Sequence, residues 1–462
     1  MVRYMYKRVA DLYTALFGFR NLFLAKGSLI KHVVEETRPS PLARALYLVS
    51  SIIERRVVEQ LSSLIREAER MHLFERFYDL ESSWEVRGSI VWQLSMQRLA
   101  RFEPPLQRVM VRDPRSPENM LLVAALQLAK SIINEAEALI NAFSNTVSNM
   151  LNTVFDTGSR RVLLLSVVED LRECIERFKQ CIDALQRRPL LRAVSASMKR
   201  PCRLVKTLRH EIERRMWVPR WVKELLKLID TITEIRRELE ELRTVILHRG
   251  GSEMKTLSAV LRYWAWRLYE LYVALLILDA LKSLGAEIVG RDLRRVLVVF
   301  RNSVFSIYLG SQLNNSRISR AEARWLENGV VPHDVLERCR GRPDIAVVST
   351  RPLLVVEAKF SRSPSYLSAA RFKIMAYAYE YQPRVAILAF PGVSSRVAAL
   401  DREDEETIKL LREAERRNGM VMDLRNGSKL CIVPVVPCAD REPRSMEALR
   451  KVLDMVLEHG GV

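Results

Sequence analysis

Apolar residues along the first half of the chain recur with the period of an α-helix. Residues 43–71 form one long amphipathic stretch, in which apolar positions return every three or four residues. A second such stretch begins at Ser116, a residue type that caps helices. Pro117 is its first helical residue, and Glu118 lies near the positive end of the helix dipole. The pattern predicts a mainly helical region over residues 1–250.

Residues 84–113 interrupt the helical pattern. They contain short alternating runs, a glycine and a pair of prolines, which predict a few short strands. The sequence RGGS at residues 249–252 ends the helical region, because adjacent glycines break regular structure. We therefore predict two domains, residues 1–250 and residues 251–462.

Helical and strand patterns alternate in the second domain, which predicts an α/β arrangement. A helix over residues 256–284 is predicted to end at Gly285, since glycine takes the left-handed conformation that closes many helices. The other predicted elements are strands at 295–302 and 303–313, a polar connection at 312–340, a hairpin at 341–360, helices at 365–381, 401–417 and 443–459, and strands at 384–392 and 429–437. The predicted fold class is α+β, with a mostly helical N-terminal region and a C-terminal α/β domain.

The composition fits a soluble protein. The 462 residues are 48 % hydrophobic and 28 % charged, and no apolar run approaches the roughly 18 residues that span a bilayer. No secretory signal is visible near Met1, so a cytoplasmic protein without a membrane partner is expected. The net charge of +19 favours a polyanionic partner, most often nucleic acid, although abundant Arg and Glu with few Asn and Gln also suit a thermophile.

The strongest local concentration of positive charge lies between Arg187 and Lys223. This segment holds twelve Lys or Arg against two acids, and it carries Trp217 and Trp221. It is either a solvated basic face or a surface that contacts phosphates, with aromatic side chains available to stack on bases. The residues that we expect to bind nucleic acid are Arg187, Arg188, Lys199, Arg200, Arg203, Lys206 and Arg209.

The six cysteines form no CxxC pair. They are expected to be small buried residues. An iron–sulfur site built from Cys339, Cys431 and Cys438 is the alternative, to which the spacing gives little support.

Three charged residues stand in the predicted hairpin GRPDIAVVSTRPLLVVEAKF. Asp344 opens the first apolar run, and Glu357 and Lys359 lie inside the second. With the turn centred between Thr350 and Arg351, position 344 lies opposite position 357. Glu357 and Lys359 are two residues apart, so in a strand they point to the same face. The three polar groups are therefore predicted to converge.

Two carboxylates held this close repel each other, and burial would force one of them to take up a proton. A divalent cation removes the conflict, and oxygen ligands suit Mg²⁺ or Mn²⁺. Such an ion polarises a phosphoryl oxygen and activates a bound water, while Lys359 can orient that water or stabilise the transition state. The arrangement predicts a phosphodiesterase centre. A structural ion pair between Asp344 and Lys359 explains the charges less well, because buried ion pairs stabilise little compared with apolar packing.

The residues RPD at 342–344, followed by EAK at 357–359, resemble the motif of the PD-(D/E)xK nuclease superfamily, which has the restriction-endonuclease-like fold. The resemblance extends to an acid on the first helix, Glu270, and to the helix after the motif. There Lys373 and Tyr377 share a face at i, i+4. The predicted order helix–strand–strand–strand–helix–strand also fits. Without the resemblance, Glu270 reads as a surface acid, Lys373 as a solvated residue and Tyr377 as a core residue.

The resemblance implies roles for these residues. Asp344, Glu357 and Glu270 would hold Mg²⁺ or Mn²⁺, with the carbonyl of Ala358 as a further ligand, and Lys359 would activate or orient the nucleophile. The implied activity is that of a DNA endonuclease leaving a 5′-phosphate, and a homodimer would supply two sites for a double-strand cut. A non-cleaving nucleic-acid-binding or scaffold subunit, a repair exonuclease and an RNA-directed enzyme are the alternatives.

A second resemblance covers residues 84–130 and 262–392. The stretch from Gly88 to Ile90 and the helix start SPEN at Ser116 are similar to motifs of McrC-type nuclease subunits. Those subunits supply cleavage to an AAA+ GTPase motor that recognises modified DNA, which implies a role in restriction or defence. The chain has no GxxxxGK(S/T) loop, so a motor would be another polypeptide. Residues 1–80 look helical where McrC-type subunits are mainly β, so a stand-alone defence or repair nuclease stays open.

Overall fold

The structure is a computed structural model of the chain. Its first helix is α1 (Val2–Phe17). The structure describes residues 1–17, 30–31, 33, 41–54, 56–71, 75–83, 85, 89–113, 116–153, 158–195, 201–214, 218–248, 254–289, 295–301, 303–314, 316–318, 321–324, 326, 330–393 and 402–457. The chain divides into two compact units. One comprises Met1–Ser40, Ser148–Val167 and Gly251–Val462, and the other comprises Pro41–Val147 and Val168–Gly250.

The N-terminal half is mainly helical, as the sequence predicts. Its further helices are α2 (Pro41–Glu54), α3 (Val57–Met71), α4 (Trp92–Leu99), α5 (Pro117–Thr153), α6 (Gly158–Gln186), α7 (Pro189–Ser195), α8 (Pro201–Glu213) and α9 (Arg220–His248). Helix α9 packs on α2 and α3. Ser116 caps α5, since its Oγ accepts the backbone N–H of Asn119 at 3.3 Å. The predicted helix start is therefore confirmed.

A three-stranded antiparallel sheet belongs to the helical unit, in the order β1 (Glu75–Ser82), β3 (Leu106–Asp113), β2 (Ser89–Ile90). Two predictions for this stretch are wrong. Strand β1 falls within the residues predicted to be helical, because it pairs with β3 along its whole length. Residues 92–99, inside the stretch predicted to hold only a few short strands, form the helix α4, where Ser95 Oγ donates to the carbonyl of Val91 at 2.9 Å and accepts the Leu106 N–H at 2.9 Å. Tertiary contacts override local pattern in both places.

The other unit contains a mixed sheet of eight strands. Its helices after α1 are α10 (Met254–Ser283), α11 (His333–Arg338), α12 (Pro364–Tyr381), α13 (Arg402–Arg416) and α14 (Glu442–Leu457). Its strands are β4 (Glu287–Val289), β5 (Arg295–Phe300), β6 (Ser303–Leu309), β7 (Ile345–Val348), β8 (Pro352–Ala358), β9 (Val385–Phe390), β10 (Met420–Asp423) and β11 (Lys429–Pro434). The sheet order is β10-β11-β9-β8-β7-β6-β5-β4, with β8, β9 and β11 parallel and the other neighbours antiparallel.

The predicted elements of this unit are confirmed, and the structure adds β4, α11 and β10. Five strands therefore lie between α10 and α12 in the described residues, one more than the four predicted, whereas the helix–strand–strand–strand–helix–strand order fitted to the resemblance has three. Gly285 has φ +94°, the left-handed conformation predicted for the residue that closes α10. The α+β fold class is also confirmed.

The sheet is covered on both faces. Helices α12 and α13 pack on one face, against alternate residues that include Val355, Ala386 and Leu430. The intervening residues point the other way, towards α10 and α14. Strands β8 and β9 are buried along their whole length, as central strands covered on both faces are expected to be. Among the described residues, no helix is both long and apolar enough to cross a membrane.

A buried carboxylate joins three helices of this unit. Glu442 Oε2, at the start of α14, accepts hydrogen bonds from the hydroxyls of Tyr4 on α1 and Tyr272 on α10, both at 2.8 Å. Its Oε1 accepts Arg8 Nε at 2.6 Å. A buried carboxylate is stable only when such donors replace water, so Glu442 ties α1 to the helix that carries Glu270.

We expect Glu442→Ala to lower the free energy of unfolding by about 3 kcal/mol, because the substitution leaves three polar groups without their acceptor. Thermal unfolding of the full chain measures the effect. The control is Glu447→Ala on the same helix, which removes an exposed i, i+4 pair with Lys451 and should leave the stability nearly unchanged, because solvent screens an exposed ion pair. Equal effects of the two substitutions would contradict a structural role for Glu442.

Candidate active site

The hairpin of β7 and β8 has the predicted register. Ile345 pairs with Val356, so Asp344, which directly precedes β7, lies opposite Glu357. Glu357 shares its side of β8 with Val355, which faces α12. Lys359 follows the strand, and its N–H donates to the carbonyl of Ala389 at 2.9 Å. The three motif residues therefore meet where the buried strands end.

Glu357 is the most buried member of this group. Its side chain is 0 % exposed, and its Oε1 accepts Lys359 Nζ at 2.6 Å and Lys373 Nζ at 2.8 Å. Its Oε2 is also buried but has no hydrogen-bond partner. A buried carboxylate oxygen without a donor is costly, and it marks a place where a ligand can bind.

The side chain of Asp344 accepts a hydrogen bond from the backbone. Its Oδ2 receives the N–H of Ala358 at 2.8 Å, which fixes the carboxylate across the end of the hairpin. Burial, together with the charges of Glu270 and Glu357, raises the pKa of Asp344 to about 8, against the opposing effects of Lys359 and Lys373. The site therefore concentrates negative charge that its own cations compensate only in part.

Glu270 reaches the site from α10. Arg267, one turn earlier on the same helix, donates Nη1 to Glu270 Oε2 at 2.7 Å. Burial raises the pKa of Glu270, while Arg267 lowers it and the nearby charges of Lys359 and Glu357 act in opposite directions. Glu270 is therefore electrostatically part of the site and is held by an ion pair on its own helix.

Lys359 carries the positive charge closest to Glu357. Burial alone would lower the pKa of Lys359, but the carboxylates of Glu357 and Asp344 outweigh burial and raise it. Lys359 is thus held in its charged form beside Glu357. An ammonium group in this position neutralises the Glu357 carboxylate, and it can also donate a hydrogen bond to a phosphate oxygen or to a water.

Lys373 and Tyr377 lie on one face of α12, as predicted. Lys373 Nζ binds Glu357 and lies 5.4 Å from the centre of the Tyr377 ring. The Tyr377 hydroxyl donates to the carbonyl of Arg342 at 2.9 Å, and burial raises the pKa of Tyr377. Tyr377 positions the loop before Asp344, whereas Lys373 touches the acid itself.

Two glycines let the chain pass close to this site. A Cβ atom at Gly341 would overlap the Tyr377 ring and the carboxylate of Glu380. Glu380 Oε1 instead accepts the Gly341 N–H at 2.9 Å and the hydroxyl of Ser316 at 2.5 Å. Gly310 has φ +56°, and its N–H donates to the carbonyl of Asp344 at 2.8 Å. Both glycines fix the backbone on either side of Asp344.

Two guanidinium groups stand beside Gly310. A Cβ atom at this glycine would lie 3.2 Å from Arg342 Nη2 and 3.4 Å from Arg267 Nη1. Arg342 is exposed, and its Nε donates to the Gly310 carbonyl. Sequence patterns did not indicate Arg267, Gly310 or Glu380 as site residues. The position of Arg267, three residues before Glu270 on a helix, is the one signal that could have found it.

The acids fit a hard divalent cation. Glu357 Oε2 lacks a donor, and opposite it stands Asp344, whose pKa is raised by burial and by the neighbouring acids, so a divalent cation would favour its ionised form. Within the described residues, no three His, Cys, Asp or Glu side chains lie close enough to hold a metal ion by themselves. A Mg²⁺ site here would have two protein carboxylates and several waters, which is common for Mg²⁺, and Glu270 would act through water.

The cysteines do not form a metal cluster in the described part of the chain. Cys431 is buried in β11, Cys339 is exposed, and Cys438 is half-buried. The iron–sulfur alternative is therefore wrong for these three residues. Cys174 is buried as expected, whereas Cys181 is exposed.

The predicted nucleic-acid-binding residues whose side chains are described belong to the helical unit. Arg188 binds Glu69, and Arg209 makes a two-pronged contact with Asp230 at 2.8 and 2.7 Å. Arg187 and Lys206 are exposed. Lys199, Arg200, Trp217 and the side chain of Arg203 lie outside the described residues, as do Gly88 and the RGGS boundary.

The raised pKa of Asp344 predicts a pH-dependent stability. From its ordinary pKa of 3.8 to about pH 8, the folded chain holds a proton on Asp344 that the unfolded chain has lost. Stability should therefore fall as the pH rises through this window. Asp344→Asn keeps an acceptor for Ala358 but cannot ionise, so its melting temperature should exceed that of the wild type by several degrees near pH 8.

Thermal melts of the metal-free proteins at several pH values test this expectation. The difference between Asp344→Asn and wild type should grow from about pH 4 to about pH 8. Asp423→Asn alters an aspartate whose side chain is 80 % exposed, and its difference from wild type should stay constant. A constant difference for Asp344→Asn as well would show that Asp344 ionises normally.

Comparison with known proteins gives no family assignment. No family model and no curated protein sequence matches the chain. Among solved structures, it is similar to a chain of the "refined half-complex from tetradecameric assembly of Thermococcus gammatolerans McrB AAA+ hexamers with bound McrC". That match has 11 % identity and a TM-score of 0.20, and it covers 88 % of this chain and 68 % of the other. A TM-score this low carries no inference about fold or function.

Proposed function

We propose that the protein is a divalent-metal-dependent nuclease of the PD-(D/E)xK type that hydrolyses phosphodiester bonds in DNA. The observation that carries the proposal is the buried Glu357 Oε2, which has no donor although it lies beside Asp344 and two lysines. A buried carboxylate oxygen without a hydrogen-bond donor indicates that the carboxylate binds a cation and does not serve only in packing. Restriction or defence is the proposed setting, on the sequence resemblance alone.

Each residue of the site has a proposed task. Asp344 and Glu357 would bind Mg²⁺ or Mn²⁺, with the Ala358 carbonyl beside them, and the ion would supply charge stabilisation and a more acidic water. Lys359, freed from Glu357, would orient the attacking water or donate to a phosphate oxygen. Glu270 would hold a water of the same shell, while Lys373 would balance the charge of Glu357.

A non-cleaving subunit is the second candidate. Glu357 Oε1 already binds both Lys359 and Lys373, an arrangement that a purely structural ion-pair cluster would also have. In that case the protein would bind nucleic acid or a partner through the same fold. The two candidates differ in whether the carboxylates take up a cation.

A motor partner and a homodimer are further parts of the proposal. The sequence resemblance to McrC-type subunits is the ground for an AAA+ NTPase partner, and a two-strand cut is the ground for a dimer. Neither is needed for hydrolysis at a single site. The cleavage experiment therefore decides how the protein cuts, whether it needs a partner, and whether it cuts DNA or RNA.

We expect Glu357→Ala to reduce cleavage by about 100-fold or more, because it removes a ligand of the ion that stabilises the transition state. Supercoiled plasmid and labelled single strands of DNA and RNA are incubated with Mg²⁺, Mn²⁺ or EDTA. Cleavage by wild type should need the metal. Asp423→Ala, which removes an exposed acid at the far edge of the sheet, should cut like wild type.

Calorimetric titration with Mn²⁺ separates the candidates without relying on activity. Wild type should bind Mn²⁺ and Glu357→Ala should bind it much more weakly. Mn²⁺ binding without cleavage would indicate that the site binds metal and that cleavage needs a motor partner. If wild type neither cuts nor binds Mn²⁺, the nuclease proposal is wrong and the non-cleaving subunit is preferred.

The basic segment of the helical unit is proposed to contact phosphates. Replacing the exposed Arg187 and Lys206 together by Ala should lower the slope of log affinity against log salt by about 1–2, because each phosphate contact releases counterions. Arg209→Ala is the matched control, since that guanidinium is already paired with Asp230. An unchanged slope in the double variant would place the phosphate contacts elsewhere.

A further inference from the structure

Two exposed aromatic rings meet beside the candidate active site. Trp266 of α10 and Tyr366 of α12 have ring centroids 6.4 Å apart, with an angle of 52° between the rings. Trp266 is 37 % exposed and Tyr366 is 55 % exposed. Large aromatic side chains that touch each other yet stay open to solvent are a recognised feature of binding surfaces.

Helix geometry places this pair next to the acids and lysines. Trp266 precedes Glu270 by four residues, so the two share a face of α10 about 6 Å apart along its axis. Tyr366 precedes Lys373 by seven residues, which puts it on the same face of α12, about 10 Å away along the axis. The aromatic pair therefore lies at the approach to the site, within about two helical turns of it.

The exposed side of α10 leads from this pair into the site. Residues 262, 263, 266, 267 and 270 are the exposed or half-buried positions along this part of the helix, and the positions between them are buried. Beyond Glu270 the helix is buried on all sides up to residue 278. A strand lying along this face would have its phosphates near Arg267 and Lys373 and its bases near the rings.

We propose that Trp266 and Tyr366 form a subsite that stacks on an unpaired nucleobase adjacent to the phosphate being cut. The inference rests on the proposed nuclease function, since that function brings a strand to this face. A ring can stack on a base only where the base has left its own stack, so the subsite favours single strands or locally opened duplex. It is indifferent to sequence, because every base has a flat face.

The test compares strands that differ only in their bases. A fluorescent oligomer of about ten thymidines and its fully abasic counterpart carry the same phosphates and are titrated in EDTA, so that nothing is cut. Wild type should bind the thymidine strand about tenfold more tightly or better. In the double variant Trp266→Ala with Tyr366→Ala, this preference should fall towards equality. A uridine strand with its abasic counterpart repeats the comparison for RNA.

Two controls guard against a trivial loss of structure. Trp266→Phe with Tyr366→Phe keeps an aromatic ring at both positions and should keep most of the preference for bases. Tyr379→Ala removes a 44 % exposed tyrosine from another face of α12 and should behave like wild type. Equal binding of both strands by wild type, weak or strong, overturns the subsite, as does an unchanged preference in the double alanine variant.

The stacking subsite and the nuclease proposal can fail separately in these experiments. Stacking is measured without metal and without cutting, whereas the proposed function is judged by Glu357→Ala in the cleavage and Mn²⁺ experiments. Loss of base preference in the double variant, with no cutting by wild type, would support the stacking subsite on a non-cleaving protein. Cleavage that depends on Glu357, without tighter binding of the strand that carries bases, would indicate a nuclease that binds its strand through the phosphates alone.

Discussion

The site depends on one constraint, the burial of the Glu357 carboxylate at the end of a strand that is buried along its whole length. An ionised carboxylate in this position is stable only if nearby groups supply positive charge or hydrogen bonds. Lys359 supplies one ammonium from the same hairpin, and Lys373 supplies another from α12. Helix α12 must therefore present Lys373 to the end of β8, which fixes the side of the sheet on which the site opens.

The apolar core continues up to the last residue before these charges. Ile345 and Val356 pair across the hairpin and are fully buried, and the next pair along is Asp344 and Glu357. The change from apolar to charged residues thus occurs between two successive residue pairs of the hairpin. A slip of one residue would move every side chain of the slipped strand to the opposite face of the sheet, where it would meet the wrong helix. The same packing that stabilises the sheet therefore also sets the two acids opposite each other.

The hairpin could be predicted from sequence because its information is local. Two apolar runs around a short turn determine which residues pair, and period-2 alternation puts Glu357 and Lys359 on one face. Period 3.6 likewise put Lys373 and Tyr377 together on α12. Contacts between distant segments leave no such local signal. Strand β1 was not predicted because it depends on pairing with β3, which lies far along the chain. Helix α4 was not predicted because its Ser95 bonds to Leu106, outside the helix. The contacts of Gly310 and Glu380 at the site were missed for the same reason.

The distribution of charge on Glu357 argues for a ligand site over a structural cluster. A cluster built only to neutralise the carboxylate would offer a donor to each oxygen, because each buried oxygen without one is costly. Both lysines instead share Oε1, and Oε2 has no donor. The lysine side chains are 31 % and 41 % exposed, so each can turn towards solvent at little cost. Asp344 cannot move in this way, since Ala358 holds its carboxylate in place. The acids are thus the fixed part of the site and the cations the adjustable part, as a centre that exchanges lysine contacts for a metal ion and a phosphate requires.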